Sequence, residues 1–224
     1  MPRAGDGGTA RRGDDDRVAD GLVAAGLAVT LVVVLAGSVL QFVGFGFFHN
    51  RVSALNSASD GGLFGFAGRL AIASAAFASW MVLLRLRPIT PALVVLPPVL
   101  TFLTVDEVWR LHRQIGIPLV FYLPVLLAAF LAVGAVARRL SPRSLRLGVV
   151  ALALLGASFL IHQSGEQLLF RLGASTGGWL FQVKAVVKHG AEVAGWLLMT
   201  LAFTVGLRDR SRRLIGEPGG TTSG

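Results

Sequence analysis

The sequence predicts an all-α fold: a polytopic membrane helical bundle of six transmembrane helices with both termini cytoplasmic. Three observations carry this. Hydrophobic residues make up 54% of the 224 positions and charged ones only 15%, and the mean hydropathy is +0.68, far above that of an ordinary soluble domain. The apolar residues fall into six runs of at least about 20, the length a helix needs to cross hydrocarbon. Most of the Lys and Arg behind the net charge of +9 sit beside those runs in short loops and tails, the pattern by which cytoplasmic loops fix orientation. A soluble protein this basic would raise the question of nucleic acid. Here the bilayer accounts for the charge, and no nucleic-acid partner is expected. With no Cys, disulfides, thiolate metal sites and Cys nucleophiles are excluded.

Residues 1–20 are polar, with Asp14, Asp15 and Asp16 among Arg11, Arg12 and Arg17 and four nearby glycines, so this tail should be disordered. Residues 21–48 carry no charge and are too long for a signal-peptide core; they form span one. A polar link through His49, Asn50 and Arg51 leads to span two, residues 62–84, where Arg69 should snorkel outward. Span three starts near Pro91, should kink at Pro97 and Pro98, and ends in the acidic stretch around Asp106 and Glu107. Span four covers 116–137, with a bend expected at Pro124. The basic loop 138–146 precedes span five, 147–170, and a Gly/Ser/Thr turn precedes span six, 179–207. The single membrane domain is thus 21–207, and 208–224 should be a disordered basic cytoplasmic tail.

An amino terminus on the cytoplasmic side puts 14 of the 21 Lys and Arg there: four in the first tail, Arg85 and Arg87, four in the loop 138–146 and four in the last tail. The expected location is therefore a bacterial inner membrane, with the lipid bilayer as the one definite partner.

The same topology sends the rare intramembrane polar residues to the other side. At about 1.5 Å per residue His162 lies about 22 Å along span five and Glu192 about 20 Å in from Trp179. Ser158, His162 and Glu166 recur every fourth residue and share a helix face. Lys188 and His189 lie within one turn of Glu192, and Asp106 is four from Arg110. Each intramembrane charge costs about 2.5–3.5 kcal/mol on insertion scales, so such residues face a bundle interior or a watery crevice. The expectation is an extracytoplasmic-side crevice built from Asp106, Glu107, His112, His162, Glu166, His189 and Glu192. Its donors suit a metal, zinc above all, with His112, His162, His189, Asp106 and Glu192 as candidate ligands. Glu166 or Glu107 would then activate a metal-bound water against a lipid amide or ester. The alternative is non-enzymatic: a transport or proton path, or a surface for a partner protein.

At Asp106-Glu107-x4-His112 the chain resembles a loose set of uncharacterised bacterial multi-pass membrane proteins, in which an apolar span ends in paired acids followed by a Leu/Ile-His-Glu step. The order of parts is similar too, down to a late Glu-x-x-Gly, here Glu192 to Gly195. Arg113 stands where that set has Glu. This resemblance implies a multi-pass bundle and no assigned activity. More remotely, Ser158-x-x-x-His162 is similar to an element of the ceramidase and adiponectin-receptor type of seven-span hydrolase, which implies zinc-dependent lipid hydrolysis.

Overall fold

The computed structural model describes residues 7–52, 55–59, 61–109, 122–175 and 178–216. They form α-helices and connections, with no strand among them: α1 Gly7–Phe48, α2 Leu63–Arg85, α3 Pro91–Trp109, α4 Tyr122–Leu140, α5 Pro142–Arg171 and α6 Trp179–Gly216. Each of the six contains a stretch long and apolar enough to cross a membrane, as expected where backbone N–H and C=O groups must all be satisfied within one segment. The chain is a multi-pass membrane protein.

Helix boundaries depart from the sequence reading at the tails. The first helix starts at Gly7 and the last runs to Gly216, so residues 7–20 and 208–216, expected to be disordered, are helical. Extending an existing helix costs far less than nucleating one, and both stretches follow on from long apolar helices without a proline between. Fifth in order, α5 starts at Pro142 instead of 147. Ser141 caps it, its Oγ accepting from the Ser144 N–H at 3.1 Å, with Pro142 in the first turn. A Ser-Pro step is a standard start signal, since proline lacks only an N–H that would have no intrahelical acceptor. The basic loop thereby shrinks to Ser141, and Arg143 and Arg146 become helical. Pro124 falls in the first turn of α4, where it needs no bend for the same reason. Pro97 and Pro98 lie inside α3, which continues through them.

Helices α2, α3, α4, α5 and α6 pack each on the next, and α6 returns to α2, closing a ring. The last helix also reaches α4 and α1. It is the central element: 61% of its membrane-crossing stretch is buried, against 6% for α1. The α5–α6 seam is tight because small residues line it. A Cβ on Gly195 would stand 2.7 Å from Leu155 Cγ and 3.1 Å from the Ala151 carbonyl, and one on Gly206 would stand 2.8 Å from Ser144 Oγ. Lipid provides no hydrophobic drive between helices, so such backbone approach supplies the packing energy.

The first helix crosses α6 obliquely. At one end Asp20 pairs with Arg143 of α5 at 3.2 Å and Gly26 lies against Leu201. At the other, Gly37 lies against the Phe64 ring of α2. There a buried amide network ties these helix ends together. Gln41 Nε2 donates to Gln182 Oε1 at 2.7 Å, Ala58 N–H donates to Gln41 Oε1 at 2.8 Å, and the Ser57 hydroxyl donates to the Gly37 carbonyl.

At the opposite end the arginines cap carbonyls. Arg139 donates to Thr90 and to the Pro88 carbonyl, and Arg210 to the carbonyls of Arg87 and Arg139. Arg85, Arg138, Arg143, Arg146 and Arg208 gather at this same end, where α2 and α4 finish, α5 begins and α6 leaves the bundle.

A Gly195→Val variant should lose about 1–3 kcal/mol through overpacking of the seam. Gly134→Val, where nothing lies within 4 Å of the added Cβ, should lose clearly less, both measured by thermal unfolding in one detergent.

Candidate functional site

Because α3 does not pack directly on α5 or α6, nor α2 on α4, among the described residues, the ring of five helices leaves a space in its middle. That space is a cavity of about 560 Å³. It is closed at the arginine-rich end, where Leu140 of α4 meets Gly206 of α6.

The cavity is sorted by depth. Its floor and walls are apolar: Leu100 and Leu103 of α3, Leu126, Phe130 and Val133 of α4, Leu155 of α5, and Trp196 and Met199 of α6. Polar side chains enter one to two turns nearer the other end. Asp106 and Glu107 follow Leu100 on α3, Ser158 and His162 follow Leu155 on α5, and Glu192, His189 and Lys188 precede Met199 on α6. On each of three helices the step from floor to the first charge is 6–7 residues, about 9–11 Å, and His189 and Lys188 lie a further 3–4 residues out along α6. Three separate segments thus place their ionisable groups toward one end of the cavity.

Five residues expected at a shared site, Asp106, Glu107, His162, His189 and Glu192, do line this one cavity. Asp106 is buried, at 6% exposure. His189 Nδ1 lies 3.5 Å from Glu192 Oε2 one turn away, and its ring stacks on Phe64 with centroids 6.5 Å apart. Ser158 is buried at the inner edge of the polar level. Lys188, read from sequence only as a neighbour of Glu192, is a member of the site in its own right.

Glu166 is not part of it. Its carboxylate accepts from Lys184 Nζ at 2.9 Å, and its side chain is 65% exposed. Each four-residue step overshoots a helical turn by about 40°, so the Ser158–His162–Glu166 stripe has rotated about 80° by its third member. His112 lies outside the described residues.

Among the described residues, no three His, Asp or Glu side chains stand close enough to hold a metal ion. The zinc centre expected from His162, His189, Asp106 and Glu192 is therefore not formed by those four. Metal ligands must all lie within about 2.0–2.6 Å of one ion, whereas the residues here share a cavity without converging on a point. What the arrangement offers is a mouth carrying both signs of charge above an apolar well.

One polar feature went unread in the sequence: the Gln41–Gln182–Ser57 network, whose Ala58 also lines the cavity. Its signal was an amide in each of two otherwise apolar runs, for an unpaired amide in hydrocarbon is costly.

Glu166→Gln should change stability by no more than about 0.5 kcal/mol, since it removes only an exposed pair. Gln41→Leu should cost about 1–3 kcal/mol by stranding Gln182 and the Ala58 N–H. Thermal unfolding of the two variants in one detergent checks both values.

No protein family, curated protein or solved structure matches this chain, so the functional reading rests on the cavity and the side chains that line it.

Proposed function

We propose that this chain binds an amphiphile of the outer leaflet, taking its apolar tail into the cavity and holding its headgroup at the charged mouth. The single observation behind this is the sorting by depth: an apolar well of about 560 Å³ whose ionisable lining residues all lie toward one end. Ligand cavities of roughly 300–1,000 Å³, mostly apolar with a few placed polar groups, are the common form of small-molecule sites.

The mouth suits a zwitterionic headgroup. Lys188 offers a cation to a phosphate or carboxylate, and Asp106, Glu107 and Glu192 offer acceptors to an ammonium group. His162 and His189 add ring nitrogens that can donate or accept. The gathering of arginine at the other end supports placing that end in the cytoplasm. In this reading the protein sits in a bacterial cytoplasmic membrane, with both ends inside and the mouth outside. Hydrolysis by a metal-bound water finds no ligand triad among the described residues, which favours the non-enzymatic alternative of binding or carrying the amphiphile intact.

Native mass spectrometry of protein in lipid nanodiscs, with the bound molecule then extracted and identified, provides the test. Wild type should retain one intact amphiphile. Gly156 lines the cavity, and a Cβ there would make only ordinary contact with Phe130, at 4.0 Å. Gly156→Leu should therefore fill the well and lower the retained amphiphile severalfold while the fold survives. Val149→Phe, on an exposed face of the same helix, should leave it unchanged. Equal retention by wild type and Gly156→Leu would defeat the reading, and recovery of a cleaved amphiphile would return the enzyme to favour.

A further inference from the structure

Helix α1 pairs with α5 at Asp20 and packs on α2 at Gly37, and toward the arginine-rich end the surface between α2 and α6 is left open. The result is a groove between α2 and α6, separate from the central cavity and with no lining residue in common with it. One wall is apolar, formed by Leu70, Phe77 and Met81 of α2, with the small Ala73 between them. Phe77 is 68% exposed, so in a bilayer this wall faces acyl chains. The other wall carries the Thr200, Thr204 and Ser211 hydroxyls of α6.

At its mouth the groove ends in two guanidiniums, Arg85 from the last turn of α2 and Arg208 from α6. Neighbouring arginines at this end are occupied with the fold: Arg210 and Arg139 cap carbonyls, and Arg143 pairs with Asp20. Arg85 donates to no described residue, and Arg208 makes one long bond, 3.3 Å, to the Val18 carbonyl. Most of their ten N–H donors therefore point to something else. No acidic residue lines the groove. A membrane-facing slot with an apolar wall and two cations at headgroup depth is complementary to one kind of occupant.

We propose that this groove is a binding site for an anionic phospholipid of the leaflet at the arginine-rich end. Its phosphate sits between Arg85 and Arg208, and one acyl chain lies along Leu70, Phe77 and Met81. Two guanidinium forks match phosphate oxygens in geometry as well as charge. The Thr204 and Ser211 hydroxyls each donate to the carbonyl four residues back, at 2.8 and 2.9 Å, so their oxygens stay available as acceptors for glycerol or headgroup hydroxyls.

The experiment is native mass spectrometry of the full chain released from nanodiscs containing equal phosphatidylglycerol and phosphatidylcholine. Wild type should retain phosphatidylglycerol over phosphatidylcholine by about tenfold or more, as two basic side chains near a membrane surface would produce. Arg85→Gln with Arg208→Gln should abolish that preference. Arg146→Gln, an exposed arginine at the same end but on α5, should preserve it. Ala73→Trp keeps both guanidiniums, fills the slot from a lipid-facing position and should also abolish the preference, so a folding defect in the double variant does not decide the matter. A preference that survives both groove variants overturns the proposal. So does one that Arg146→Gln removes equally, which would mean diffuse charge, or one that inorganic phosphate erases, which would mean a phosphate site and not a lipid site.

Discussion

The close approach of α5 to α6 is the contact on which the rest of the bundle depends. In hydrocarbon no helix gains by hiding apolar surface from water, so association has to come from contact at short range. Gly195 and Gly206 supply that contact by letting the Leu155 and Ser144 side chains sit almost on the α6 backbone. Once α6 is held there, its other faces are committed to α2, α4 and α1, and the ring closes around a space that no side chain fills.

The ring of five helices is tight at the arginine-rich end and open in the middle, which leaves the central cavity. The first helix lies outside this ring, against α6 and, over a short stretch, α2. Polar groups are distributed to match. Asp106, Glu107, His162, His189 and Glu192 line the interior, where an insertion cost of about 2.5–3.5 kcal/mol per charge can be offset by neighbours. The arginines stay at the interface, where their long stems reach carbonyls or headgroups.

Much of this was legible in the sequence, because bilayer thickness converts residue counts into depth. Six spans were plain from hydropathy, and the common level of Asp106, His162 and Glu192 followed from counting 1.5 Å steps along alternating helices. Azimuth was harder. An i, i+4 stripe looks straight in a sequence but drifts around its helix, and that drift carried Glu166 out to Lys184. Distance was harder still, since a shared level does not make a ligand sphere, and the zinc reading failed among the described residues on that point. The helix ends were misjudged where composition was taken for conformation. The polar stretches 7–20 and 208–216 continue helices already nucleated in the membrane, and Ser141-Pro142 was a start signal hidden in a basic loop.

The Gln41–Gln182 bond joins partners 141 residues apart, and that separation orders the assembly of the molecule. The first helix leaves the ribosome and enters lipid with a bare amide at position 41, long before its acceptor has been made. Until the last helix arrives, that amide must find water, a headgroup or a translocation partner, so the earliest segment is held loosely and docks late. Burial of that amide is therefore completed only once the final crossing is in place.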